Sequence, residues 1–340
     1  MNIESNEQLD EFLTTPSPEL IRAMATIRGR LLVVGAGGKM GPSLAVLARR
    51  AADAAKTDLD IVAVSRFSDV QSKHWLEQRG IKTISADVLK PTEVDKLPDA
   101  EHVIYLVGLK FGTSSSPGAT WVANTLAPAA VIQRYASSSI VALSTGNVYP
   151  FVDAMSQGPN ENHPLTPIGE YPNAAVARER IFEYFSERQN TSVVSLRLNY
   201  ALDLRYGVLV DIASKVWNGK PISLSMGYFN AIWQGDANEL ILRSFPLARS
   251  PAVAFNMTSR QKFSVREIAL QLGELLSREP VFEDTESPTA LLSDSSQLYE
   301  RLTPPTTPID DVLRWTANWI ASGRPLFGKA TNFEIRDGVY

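Results

Sequence analysis

The 340-residue sequence predicts an α/β fold: a doubly wound parallel sheet with a smaller C-terminal lobe. Three observations predict it. Short continuous apolar runs alternate with helix-periodic segments from residue 30 to residue 198, the pattern of a parallel sheet covered on both faces. The first of these runs feeds directly into a glycine-rich turn that opens a helix. Beyond Asn199 the alternation gives way to short helical stretches and Pro/Ser/Thr loops, such as the TPPTTP run at 303–308, which places a smaller lobe there.

Taken in order, residues 1–29 read as an N-terminal helical extension. Ser17 is a cap, Pro18 occupies the first helical position, and Leu20, Ile21, Met24 and Ile27 recur at helical spacing, so this stretch should pack on the main domain. Strands are expected at 30–34 (RLLVV), 60–64 (DIVAV), 82–85, 102–107 (HVIYLV), 140–144 and 192–198. Helices are expected at 42–55, 70–79, 119–136 and 173–186. The main domain should run over 30–202, with 234–260 returning to it. Segments 203–233 and 261–340 should form the smaller lobe, where 283–296 reads as a polar surface loop.

Apolar residues make up 44% and charged residues 21% of the chain, enough at this length for a core that needs no disulfide or metal staple. Cysteine is absent, which excludes disulfides, thiolate zinc sites, iron–sulfur clusters and a cysteine nucleophile. The net charge of −4 comes without a basic cluster, so neither nucleic acid nor an anionic membrane is an expected partner. No apolar run approaches the roughly 18 residues that span a bilayer, and the acidic, polar start MNIESNEQLDEF is unlike a secretory signal. The expectation is a soluble, cytoplasmic protein. His74, His102 and His163 lack metal-ligand spacing, so no metal site is expected.

The turn reads Gly35-Ala-Gly-Gly-Lys39-Met40-Gly41. Gly35, Gly38 and Gly41 give the spacing G-x-x-G-x-x-G between a strand and a helix. Glycine lets the backbone turn sharply and approach a pyrophosphate, while the helix N-terminus offers free N–H groups to that anion. With strand before and helix after, this is a Rossmann-like dinucleotide site, and the alternative is a tight turn without a ligand. An acidic residue at the tip of the second strand would favour NAD. Here the tip is Ser65-Arg66, and a hydroxyl beside a guanidinium suits a 2′-phosphate, which favours NADP; the alternative is a solvated arginine.

On these residues the chain resembles the extended short-chain dehydrogenase/reductases, the NAD(P)-dependent epimerase/dehydratase family of sugar enzymes, from residue 30 to about residue 320. Asp87-Val88 resembles the family's adenine-contacting pair. Val107-Gly108-Leu-Lys110 is similar to UDP-galactose 4-epimerase-type enzymes, in which a lysine reaches the cofactor diphosphate. Asn124 resembles the family's helix-borne asparagine. Ser144-Thr145-Gly-Asn147-Val-Tyr149 resembles S-[ST]-x-x-V-Y, with Thr145 at the catalytic Ser/Thr and Asn147 on the substrate side. Arg197-Leu-Asn199 is similar to R-x-x-N, one residue shorter, and implies a substrate-facing Asn199. Gln234-Gly-Asp236 and Phe255-Asn256 resemble weaker motifs.

The family's acid/base is the Tyr of Y-x-x-x-K. Tyr171 takes that place, but Ala175 stands where the lysine should be, and no lysine occurs between Lys110 and Lys215. A free tyrosine titrates near pH 10, and a cation about 5 Å away at an effective dielectric near 20 contributes roughly 3 kcal/mol. Without it, Tyr171 is expected to act as a protonated hydrogen-bond donor and general acid, unless another group is the base or hydride chemistry is lost. Arg178, two turns on, is a poor substitute. His163 is read as a loop residue with a possible shuttle role.

The resemblance implies an NAD(P)-dependent oxidoreductase, epimerase or dehydratase acting on a sugar, sugar acid or nucleotide sugar, with Tyr171 and Thr145 at the reacting oxygen. The alternative is a non-catalytic NAD(P) sensor or scaffold. The helices at 119–136 and 173–186 resemble those the family pairs across an interface, which implies a homodimer.

Overall fold

A computed structural model describes residues 3–110, 115–329 and 331–339. Seven strands form one wholly parallel sheet: β1 (Gly29–Val34), β2 (Leu59–Ser65), β3 (Lys82–Ser85), β4 (His102–Tyr105), β5 (Ser139–Thr145), β6 (Val193–Leu198) and β7 (Val253–Met257). Their spatial order is β7-β6-β5-β4-β1-β2-β3. The order reverses between β1 and β4, and the crevice at that switch point, beyond the carboxyl ends of the strands, is where such sheets bind ligands. This is a Rossmann-like fold.

The central apolar runs become strands because both their faces are covered. Leu31 and Val33 of β1 enter one core with helix Gly41–Ala54, while Leu32 and Val34 enter the other, beneath helix Pro117–Arg134. The six expected strands are present with ends shifted by one or two residues. The seventh, β7, lies in the returning segment 234–260 and pairs with β6 from Val253↔Val194 to Met257↔Leu198. Helix Glu170–Gln189 starts three residues earlier than expected and packs alongside helix Pro117–Arg134. Asn190, in the left-handed conformation at φ 56°, ends it.

A third core holds the smaller lobe together, centred on Phe229, Leu272, Leu313 and Trp319 from helices Val208–Trp217, Val265–Leu276 and Ile309–Ala321 and the loops between them.

The N-terminal extension comprises two helices, one for each lobe. Helix Pro18–Met24 puts Leu20 and Met24 into the sheet's core. Helix Asn6–Leu13 sends Leu9 and Leu13 into the smaller lobe's core, and Phe12 meets Trp315 edge-to-face (5.0 Å) and lies tilted against Trp233 (6.0 Å). Ion pairs Glu11–Arg50 (2.5 Å) and Asp10–Arg205 (2.9 Å) secure it to both sides. Periodicity shows that a helix is amphipathic; it does not show which of two cores receives the apolar face.

Among the described residues, no helix is long and apolar enough to cross a membrane.

Candidate active site

The backbone leaves β1 through Gly35 at φ 90°, a conformation glycine adopts without strain. A Cβ at Gly41 would lie 2.5 Å from the Ala36 carbonyl oxygen, and one at Gly37 would lie 2.7 Å from Ser65 Oγ. The turn is therefore wound too tightly for side chains at either position. Gly38 differs. A Cβ there would meet one protein atom within 4 Å, Gly35 O at 3.4 Å, because the residue faces an open cleft. Bare backbone facing a cleft at a helix N-terminus is the cradle a diphosphate requires.

The cleft has a volume of about 340 Å³. It brings together ten of the expected site residues: Gly35, Gly38, Lys39, Met40 and Gly41 of the turn, Gly108 and Lys110 after β4, Thr145 and Asn147 after β5, and Tyr171. Thr145 ends β5 and caps the short turn Gly146–Val148, its Oγ1 accepting from Asn147 N at 3.2 Å. Tyr171 lies in the first turn of helix Glu170–Gln189 and is 7% exposed.

Two lysines bring positive charge to the cleft. Burial lowers Lys110 to about 8. Burial, reinforced by the charges of Lys329 and Lys110, lowers Lys39 to about 7. The Lys39 ammonium sits 3.1 Å from the centroid of the Tyr206 ring, a cation–π contact.

Seven expected residues do not line the cleft. Ser65 Oγ packs under Gly37, and Arg66 is exposed at the tip of β2. Asp87 shapes its own turn, its Oδ1 accepting from Leu89 N at 3.1 Å, and Val88 is a core residue. Val107 packs its Cγ2 against Gly35. Asn124 is a brace: Nδ2 donates to the carbonyls of Leu109 (3.2 Å) and Thr120 (2.8 Å), and Oδ1 accepts from Arg178 at 3.1 Å. Arg178 also donates to Val107 O at 3.2 Å, so its guanidinium is engaged in holding the loop after β4.

Asn199, expected to face substrate, is 1% exposed, with its side chain beneath Gly146. Its N–H still bonds to Met257 O at 3.2 Å, continuing the sheet, so it lies one residue short of the crevice. Tyr200, which stands at the full R-x-x-N spacing from Arg197, lines the cleft instead. Counting the spacing strictly would have found it. Tyr206 and Thr331 also line the cleft, and both come from irregular segments without a pattern to flag them. Gln234 lines it too, from one of the weaker motifs.

Behind the cleft lies a buried ionic network. Arg197 on β6 and Glu179 on the Tyr171 helix pair bidentately (Nη2–Oε2 2.7 Å, Nε–Oε1 3.1 Å), with side chains 4% and 2% exposed. Ser144 Oγ donates to Glu179, and Arg197 Nη1 donates to Tyr149 Oη at 2.7 Å. Tyr149 in turn donates to Asn256 Oδ1 at 2.8 Å. Ala175 is fully buried in a small cluster with Val148 and Tyr149. His163 is half-buried with its ring against Tyr149, and it does not line the cleft.

A family model, the NAD dependent epimerase/dehydratase family, matches residues 31–201, just over half of the chain. The chain belongs to that family. No curated protein matches it by sequence. Among solved structures, it resembles an epimerase from Methanothermobacter thermautotrophicus (TM-score 0.73, 17% identity, 90% of this chain and 96% of that one). It also resembles UDP-glucuronic acid 4-epimerase from Bacillus cereus (TM-score 0.72, 15% identity, 86% and 99%). A third is UDP-glucose 4-epimerase from Thermotoga maritima (TM-score 0.68, 15% identity, 87% and 99%). At these identities the likeness establishes the fold. Within the epimerase/dehydratase pattern, this member departs at Ala175.

Proposed function

We propose that the protein is a nicotinamide-dependent enzyme that oxidises a hydroxyl of a sugar, sugar acid or nucleotide sugar, as an epimerase, dehydratase or dehydrogenase. The observation that carries this reading is the convergence of Thr145 and Tyr171 on the cleft that the glycine turn opens into. Two of the structural neighbours are named as UDP-sugar 4-epimerases, which makes a nucleotide sugar the first substrate to test.

Gly35, Gly38 and Gly41 with Lys39 and Lys110 would hold the cofactor diphosphate, and when bound the cofactor supplies a hydride acceptor. Ser65-Arg66 at the tip of β2 suits a 2′-phosphate, so NADP is the preferred form. Thr145 Oγ1 and the Tyr171 hydroxyl would hydrogen-bond the reacting oxygen, with Tyr171 returning a proton to it as general acid. Asn147 and Tyr200 would face the substrate. The test is purified protein with NAD⁺ or NADP⁺ and a UDP-sugar panel, read at 340 nm and by mass spectrometry, which also catches a closed epimerisation cycle. Absence of any product would sink the reading.

A second reading, a cofactor-binding sensor, is favoured by Ala175 alone, since the motif lysine is replaced by a buried methyl group. It predicts cofactor binding with no turnover on the same panel.

The two cleft lysines make cofactor binding proton-linked. An anionic diphosphate raises the pKa of both. Below about pH 7 both are already charged and affinity is at its plateau; above it, affinity falls as each loses its proton. The fall should approach tenfold per pH unit per lysine. Titration calorimetry at pH 8 in two buffers of different ionisation enthalpy should show an uptake of about one proton. Proton release, or pH-independent affinity from 7 to 9, would rule out lysine contact with the diphosphate.

We also expect a homodimer through the adjacent helices Pro117–Arg134 and Glu170–Gln189. They expose Trp121, Val122, Leu126 and Tyr184, an apolar set that a partner copy would cover. A monomeric mass by light scattering would contradict this.

A further inference from the structure

After helix Ile309–Ala321 the chain forms no further helix or strand among its described residues; residues 322–329 are exposed, but from Thr331 to Arg336 the segment is repeatedly tied down. Thr331 lines the cleft, and its N–H and hydroxyl both donate to Asp211 Oδ2, at 2.8 and 2.5 Å. Phe333 is buried in the smaller lobe's core, and Glu334 pairs with Lys215. Arg336 donates to the Thr289 carbonyl (2.9 Å) and hydroxyl (2.6 Å) and to Ser225 O (3.2 Å), with its guanidinium 4.4 Å from the Phe151 ring. Ordering an irregular segment costs conformational entropy at every residue, so anchoring of this density marks a segment held in one place.

The segment ends on the sheet domain, at the start of the Tyr171 helix. Gly338 (φ 75°) crosses Gly169 (φ 101°), the residue that caps helix Glu170–Gln189. A Cβ on Gly169 would lie 2.7 Å from Gly338 Cα, and a Cβ on Gly338 would lie 2.7 Å from Gly169 Cα. Two backbones meet here with no room for a side chain on either, and both use dihedrals that glycine alone adopts freely. Tyr171 follows Gly169 by two residues. The first turn of a helix lacks intrahelical partners for its N–H groups and frays readily, so an external contact at the cap fixes where its side chains point.

We propose that residues 331–338 form a strap that runs from the cleft wall at Thr331 to the cap of the Tyr171 helix, with Gly169 and Gly338 as positioning residues for Tyr171. The strap carries Thr331 at the cleft wall and Gly338 at the tyrosine's cap, so it couples occupancy of the cleft to the placement of the acid/base. This rests on the proposed role of Tyr171, but its structural half is independent of it.

Two variants test the strap. Gly338→Ala forces the crossing apart. A chain ending at Arg336 removes the crossing but keeps the anchors at Thr331, Phe333, Glu334 and Arg336. Both should lower kcat tenfold or more, leave cofactor Kd within twofold of the native value, and speed amide hydrogen exchange across residues 166–173. Val339→Ala, at an exposed neighbour, should change none of these. Native kcat and native exchange in both variants would overturn the proposal, as would a parallel loss of cofactor affinity, which signals general unfolding. If the native protein turns over no sugar, exchange alone decides: lost protection at 166–173 supports the strap, and unchanged protection overturns it.

Discussion

Tyr171→Phe is expected to lower turnover on the accepted sugar by about 10²–10⁴-fold, the usual contribution of a positioned general acid or base. Cofactor affinity should stay within twofold, because the substitution removes one hydroxyl and leaves the ring, which is buried against the cleft wall. The structure sharpens this expectation by removing two rescuers. Ala175 offers no charge, and the Arg178 guanidinium is spent on Val107 O and Asn124 Oδ1. Single-turnover kinetics of the native and Phe enzymes would measure the difference. Undiminished turnover in the Phe variant would move the acid/base role elsewhere, with Tyr206 and the lysine stacked on it the next groups to examine.

Glu179→Ala is expected to remove about 3–5 kcal/mol of stability, the cost of leaving a partnerless charge inside a protein. That is a large part of the ~5–15 kcal/mol that holds a typical domain folded. Arg197 would lose both carboxylate contacts while buried between β6 and the helix, and Ser144 would lose its acceptor. Because the pair fastens the Tyr171 helix to the sheet, the loss should reach activity at temperatures where the variant remains folded. Urea denaturation followed by far-UV circular dichroism measures it. A midpoint unchanged to within the equivalent of about 1 kcal/mol would mean that water reaches the pair in solution.

The sheet was legible because both faces of its central strands are buried, so the runs at 30–34 and 102–105 are apolar at nearly every position, which few loops imitate. The glycine turn was legible because its chemistry is local: a tight turn, a close backbone approach and a helix start leave their mark within seven residues. The edge strand β7 was harder to read. It is short, and its polar Asn256 belongs to the buried network with Tyr149. The cleft's other side was not legible at all. Tyr206 and Thr331 reach it because a lobe of irregular loops folds over, and nothing in their neighbours' periodicity records that. Asn199 shows the opposite hazard. Its residue type suited the family pattern, but the backbone there has not yet left the sheet, and one residue of register decides which side chain lines the cleft.

The first helix has a consequence for the order of assembly. Phe12 is synthesised about 220 and 300 residues ahead of its ring partners Trp233 and Trp315. Closing so long a loop is entropically expensive until both ends are fixed. Helix Asn6–Leu13 must therefore wait, solvent-exposed or shielded by a chaperone, and dock among the last pieces of the molecule to settle.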